Sequence, residues 1–241
     1  MENNGSQTSY RWYILILAAL TNTLAIAIQS MCLPVLFKEI STDLNLNLVQ
    51  VGLIWGINAL PGMAATLVGG ALGDRFGPWR VLILGCLLAG LTGAVRGLAT
   101  DFTSLTAAMF LFGLVTPFVG MNVIKTCGLW FSSRQLGLAN GVLSMGMALG
   151  FLSGSMFSAT FLSPALGGWR NVLFLYGAVP AILSLFWFLA RPNPALPPAD
   201  PQAASPSLRR NLAYVARIPN VWLLGLTILG VSGCVQGSLA A

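Results

Sequence analysis

The sequence predicts an all-α integral membrane protein built as a bundle of apolar helices, and two observations carry that prediction. Of its 241 residues 56% are hydrophobic and only 7% charged, too little charge to solvate a water-soluble domain of this size. Seven apolar stretches recur along the chain, each near the roughly 20 residues that a helix needs to cross a hydrocarbon core of about 30 Å. These runs are continuously apolar, whereas the strands of a transmembrane barrel alternate over about 10 residues, so helices are preferred.

In chain order the spans are expected at 12–37, 49–71, 80–98, 104–130, 137–162, 170–190 and 219–240. The first is too long for the apolar core of a cleaved signal peptide, and no polar mature domain follows it, so it reads as a true first helix after a short segment, 1–11. Residues 12–190 then form a six-helix bundle. The following RPNPALPPADPQAASP cannot continue a helix, and 191–218 reads as a cytoplasmic linker. Its later part, SLRRNLAYVARIPN, sets Arg209, Arg210 and Arg217 among apolar residues, as a short amphipathic helix on an anionic leaflet would. The last stretch, 219–241, reaches Ala241 without flanking polar residues and is expected to be a truncated seventh transmembrane helix.

Charge gives the orientation. With the N-terminus inside, nine basic residues (Arg11, Arg75, Arg80, Lys125, Arg134, Arg191, Arg209, Arg210, Arg217) fall on the inner side and three (Lys38, Arg96, Arg170) on the outer. That asymmetry predicts a cytoplasmic N-terminus in a multi-pass protein of the cell (inner) membrane. Arg96, at the outer end of the third span, reads as an interfacial anchor.

Several function classes are disfavoured. The net charge of +6 is spread through short loops instead of forming a stripe beside aromatic platforms, so no nucleic-acid partner is expected. Histidine is absent, and Cys32, Cys86, Cys127 and Cys234 lie singly in separate apolar stretches, so no metal, cofactor or disulfide frame is expected. Glu2, Glu39, Asp43, Asp74, Asp101 and Asp200 all fall at span ends or in loops, leaving no carboxylate inside an expected helix. Without clustered carboxylates or a nucleophile beside a base, an enzyme is not expected. No lysine in the seventh stretch could hold retinal.

An internal echo divides the bundle in two. VGLIWGI at 51–57 matches LGLANGV at 136–142, pairing Gly52 with Gly137 and Gly56 with Gly141. The GPWRVL starting at Gly77 resembles the GGWRNVL starting at Gly167, with a slip of five residues assigned to a longer outer loop. The second and fifth spans run in opposite directions, so the units would be a 3+3 inverted repeat, an arrangement found in transporters. Chance similarity of short glycine-rich segments is the competing reading.

Between the second and third spans stands GGALGDRFGPWRVL, a tight polar turn. The order and spacing of Gly70, Asp74, Arg75, Gly77 and Arg80 resemble the signature loop of the major facilitator superfamily. Pro78 and Trp79 stand where that family has further basic residues. Glycine permits the turn, and Asp74 can accept hydrogen bonds from a helix N-terminus while the arginines bridge to other inner loops. The resemblance implies an inner-gate latch that contacts the other half of a carrier; positive-inside anchoring is the alternative for Arg75 and Arg80. A second run, KTCGLWFSSRQLGLANG at 125–141, is similar to the corresponding segment of organic-anion and nitrate-type carriers in this family. The family's usual arginine of the fourth helix would fall at Met109, and the proline that its antiporters place after the middle glycine of the fifth would fall at Phe151. Both departures weigh against antiport or proton coupling built on those residues.

The resemblance further implies the N-terminal half of a 12-helix secondary active transporter, moving a small solute by alternating access, with a missing C-terminal half or a second copy as partner. Its cavity would be lined by the first, second, fourth and fifth helices, which makes Asn22, Gln29, Asn58, Asn122 and Lys125 the substrate-cavity candidates. Bonding between helices is the alternative for each amide, and snorkelling to the interface for Lys125. An ammonium in reach of the cavity would favour an organic or inorganic anion. Gly146, Gly150 and Gly154 recur every four residues on one face of the fifth helix, where they would let another helix approach closely. A non-transporting receptor or scaffold, or an inactive truncated remnant, is the alternative function.

Overall fold

A computed structural model describes residues 3–190 and, further along, 222, 223, 225–227 and 230. The chain divides into two compact units, Met1–Pro194 and Ala195–Ala241. In the second, the described residues are helical, and Thr227 Oγ1 donates to the Leu223 carbonyl at 2.9 Å. The expected linker at 191–218 and most of the expected seventh span at 219–241 lie outside the described residues.

Among its described residues the first unit is helical apart from short turns, with six helices long and apolar enough to cross a membrane: α1 (Tyr10–Asp43), α2 (Leu48–Phe76), α3 (Pro78–Leu98), α4 (Phe102–Trp130), α5 (Ser133–Leu166) and α6 (Trp169–Ala190). Several run past the expected ends, because the helical backbone continues beyond the last apolar residue into sequence that carries charge. Glu39 and Asp43 thereby join α1, and Asp74 joins the last turns of α2. The expectation that no carboxylate falls within a helix is corrected accordingly.

Local chemistry sets the helix starts. Asn47 and Gln50 form a reciprocal capping box at α2: the Gln50 N–H donates to Asn47 Oδ1 at 2.8 Å and the Asn47 N–H to Gln50 Oε1 at 3.0 Å. Asp101 and Ser104 do the same for α4, and the Ser104 N–H holds the Asp101 carboxyl below the ordinary carboxylate range. Between α2 and α3 the turn is reduced to Gly77, whose φ of +84° suits glycine, and Pro78 opens the next helix with a preset φ.

Alternating helix directions give the bundle two ends. The proximal end gathers the start of α1, the α2–α3 turn, the α4–α5 connection and the end of α6. There the Tyr10 hydroxyl donates to the Ala190 carbonyl, and Arg11 Nη1 donates to Gln135 Oε1 at 3.2 Å. At the distal end Arg170 pairs with Asp43 and donates to the Ala99 carbonyl at 3.0 Å, while Ser163 Oγ donates to Glu39 at 2.5 Å. One apolar cluster, including Leu17, Cys86, Val119 and Trp187, fills the proximal part; another, including Leu33, Leu105, Met109 and Tyr176, fills the distal part.

The burial pattern repeats along the chain. On α2 the buried residues are Ile54, Pro61, Ala65, Gly69 and Gly73; on α5 Ala139, Gly146, Gly150, Gly154 and Ser158 are buried, each 85 positions later. The stripe on α2 lies against α4 and the stripe on α5 against α1, as two units of one design require. The five-residue slip lies elsewhere than expected. Helix α5 itself absorbs it, continuing through a π-helical turn, Ser158–Leu162, and one further turn, Ser163–Leu166, before Gly167 ends it. A second π turn, Asn22–Ala27, interrupts α1 where the α5 glycines meet it.

Candidate functional site

Two residues of the signature segment meet α4. Lys125 Nζ lies 2.6 Å from Asp74 Oδ1 and also donates to the Gly70 carbonyl at 2.5 Å, tying the end of α2 to α4. One turn back on α4, Asn122 is fully buried, and its Nδ2 donates to the Gly69 carbonyl at 3.2 Å and to the Phe118 carbonyl at 2.8 Å. Two glycines that the motif reading passed over make this crossing possible. A β-carbon at Gly69 would lie 2.9 Å from the Phe118 ring and 3.1 Å from its Cα, and one at Gly73 would fall on Asn122 Oδ1. The signal was present as the GG pair and the glycine four residues on, although the facing residues were not legible.

Asp74 therefore bonds across to a lysine instead of capping a helix, because it sits inside the last turns of α2. Arg75 and Arg80 are exposed, each within cation–π distance of the neighbouring aromatic ring, Phe76 at 5.3 Å and Trp79 at 5.5 Å. Neither has a carboxylate within ion-pair distance among the described residues.

The remaining cavity candidates have separate surroundings. Asn22 Nδ2 donates to the Leu143 carbonyl of α5 at 3.5 Å. Asn58, half-buried at a break in α2, lies against Gly113 of α4, where a β-carbon would come 2.5 Å from its Oδ1. Among the described residues the amide oxygens of Asn22, Asn58 and Asn122 have no hydrogen-bond partner. Gln29 is fully buried; its Nε2 donates to the Ala25 carbonyl at 3.3 Å, and its Oε1 accepts from Arg96 Nη2 at 2.8 Å. Thus Asn122 and Lys125 are brought together at the Asp74 end, and the other three are not joined to them by any hydrogen bond.

Arg96 corrects an expectation. Instead of anchoring at an interface, it is fully buried, donating through Nη1 to the Gln29 carbonyl at 3.1 Å and through Nε to the Gly93 carbonyl at 3.3 Å, with its guanidinium 4.0 Å from the Phe112 ring centroid. Its place at the end of α3 suggested an interface. The side chain is long enough to turn back into the bundle, where Gly93 leaves room for Gln29.

The α5 glycines lie on α1 around its π turn. A β-carbon at Gly146 would come 3.0 Å from the Ala19 carbonyl oxygen, one at Gly150 2.6 Å from the Thr23 carbonyl oxygen, and one at Gly154 2.9 Å from that of Ile28. Thr23 Oγ1 lies 2.7 Å from the Gly146 carbonyl and 2.9 Å from that of Ala19, adding a polar link across the same seam.

The sequence model of the Major Facilitator Superfamily matches residues 15–241. The chain belongs to the major facilitator superfamily. This superfamily member is a multi-pass membrane protein, and similar proteins bear names of carriers. It is 25% identical over 196 residues to the probable galactarate/D-glucarate transporter GudP of Bacillus subtilis, a match covering 76% of this chain and 41% of that protein. It is 31% identical over 176 residues to human monocarboxylate transporter 11, covering 69% and 35%, and 30% identical over 162 residues to the 3-(3-hydroxy-phenyl)propionate transporter of Escherichia coli K12, covering 67% and 39%. The chain thus spans less than half the length of these superfamily relatives.

Proposed function

We propose that this chain supplies the first six-helix half of a secondary active transporter, which moves a small organic or inorganic anion by alternating access against a second six-helix bundle. That bundle would be the remainder of a longer chain or a second copy. The observation that carries the proposal is the Asp74–Lys125 link. It ties α2 to α4 at the proximal end and leaves Asp74, Arg75 and Arg80 exposed to whatever faces that end. The exposed apolar residues of α2 (Leu53, Leu60, Met63, Leu67) and α5 (Met145, Leu149, Leu152, Met156) give the second bundle surfaces to rock against.

In this reading the N-terminus is cytoplasmic in the cell inner membrane, in keeping with nine basic residues against three. Gly70, Asp74, Arg75, Gly77 and Arg80 form the inner gate, and Asn22, Asn58 and Asn122, whose amide oxygens have no partner among the described residues, are the amides that rearrange between states. Anionic cargo is supported by relatives named for galactarate/D-glucarate, sulfoacetate and monocarboxylates. Lys125 is already neutralised by Asp74, so the anion reading does not rest on its charge in this state. No chemical conversion of the solute is involved.

The test is uptake of D-glucarate, sulfoacetate and 4-hydroxybenzoate into vesicles bearing the native gene product, with and without Asp74→Asn. Uptake of at least one solute above empty vesicles, reduced by D74N at unchanged protein level, is expected. Uptake of none overturns the proposal; uptake indifferent to D74N removes the latch.

A further inference from the structure

Three bonds account for three of the five N–H groups of Arg96, and all of them end on uncharged oxygens: the Gln29 carbonyl, the Gln29 side chain and the Gly93 carbonyl. The Phe112 ring adds a cation–π face. Cys32 Sγ shares the Gln29 carbonyl at 3.3 Å and brings no negative charge. Among the described residues the two ion pairs are Lys125–Asp74 and Arg170–Asp43, so this fully buried guanidinium has no carboxylate partner. An ion held in a membrane-spanning bundle without a counter-charge is costly, and such residues face a pathway or a partner by default.

We infer that Arg96 is the fixed positive charge that makes this bundle prefer an anion, acting through the field it projects across α1 and not by touching the solute. The inference rests on the anionic cargo proposed above and transfers the electrostatic role from Lys125, which is neutralised, to Arg96, which is not. Gln29 is the positioning residue: its carbonyl and its side chain hold the guanidinium against α1, the helix that also meets α5 at the π turn. At about 10 Å, one helix diameter, and an effective dielectric constant of about 20, one unit charge changes the affinity for a monoanion on the order of tenfold.

Gln29→Glu is the decisive variant. It keeps the shape and the oxygen that already accepts from Arg96, yet places a negative charge beside the guanidinium and cancels its distant field. The probes are 4-hydroxybenzoate and its uncharged isostere 4-hydroxybenzamide, with affinity read by calorimetry on the purified native gene product in detergent, for wild type, Q29E, R96Q and R96K. The expected result is a preference for the carboxylate of about tenfold or more in wild type and R96K, falling toward onefold in Q29E and R96Q. Should R96Q fail to fold, Q29E and R96K still decide. A preference that survives in Q29E overturns this inference alone. Absence of any preference in wild type overturns it together with the anion reading beneath it.

Discussion

Gly73→Ala tests the α2–α4 crossing in a way that needs no solute. The new β-carbon would fall on Asn122 Oδ1, with Asn122 Cγ at 3.1 Å and Nδ2 at 3.5 Å, so the amide has to swing away. In doing so it gives up its bond to the Gly69 carbonyl, and Asn122 is fully buried. A bond of this kind between membrane helices contributes about 1 kcal/mol, and overpacking costs about 1–3 kcal/mol, so the substitution should destabilise the bundle by roughly 2–4 kcal/mol. Asn122→Ala alone removes the bond, about 1 kcal/mol, and also vacates the space that the β-carbon needs. The double variant should therefore be about 1–3 kcal/mol more stable than Gly73→Ala alone, which makes the coupling between the two sites favourable by about 2–4 kcal/mol. Reversible unfolding in mixed micelles, titrated with sodium dodecyl sulfate, measures all four proteins. Additive costs would refute the facing of Gly73 and Asn122 across the α2–α4 crossing.

Other expectations follow from single positions. Gly150→Ala should cost about 1–3 kcal/mol, since its β-carbon meets Ala27 Cβ at 2.5 Å and the Thr23 carbonyl oxygen at 2.6 Å; Gly141→Ala, with nothing within 4 Å, should be neutral or stabilising by up to about 1 kcal/mol in the same unfolding assay. Gly77→Ala should cost about 1–3 kcal/mol, because φ of +84° with ψ of 140° suits only glycine. Asp74→Asn should change bundle stability by less than about 1 kcal/mol, the carboxylate side chain being 75% exposed, while uptake by the native product falls; parallel loss of both would sink the latch. The Asp101 carboxyl is held below its unfolded value, so its contribution is full above the ordinary aspartate range and is lost as pH falls through the lowered one. The difference in unfolding midpoint between wild type and Asp101→Ala should therefore shrink on acidification, and a constant difference would refute the cap.

Spans and repeat were legible because both follow from one-dimensional patterns. Apolar length marks a crossing, and glycines at matching intervals on α2 and α5 mark surfaces that are buried alike. Helix ends were less legible. A span read from hydrophobicity stops at the first charge, whereas the backbone of α1 continues to Asp43 and that of α2 to Phe76. The five-residue slip was visible in sequence, but its place inside α5 depends on a π turn, which leaves no compositional mark.

Pairings across helices explain what sequence could not reach. Asn122 lies on Gly73, Asn58 on Gly113 and Gln29 on Gly93, three amides each set against a glycine of a neighbouring helix. An amide oxygen over a glycine Cα–H gains a weak contact and, more importantly, the room to enter the helix seam at all. Neither partner signals the other along the chain, so amide and glycine read separately as a cavity candidate and a packing residue. The same holds for charge. Lys125 and Arg96 are both cations near a helix end, and only the fold reveals that the first has a carboxylate within 2.6 Å while the second is fully buried against neutral oxygens and a ring. Their difference lies in compensation: a paired ammonium adds little field beyond its neighbours, and an unpaired guanidinium in a low-dielectric interior is felt across the width of a helix. If this bundle selects anions, Arg96 is, among the described residues, the fully buried charge that no carboxylate offsets.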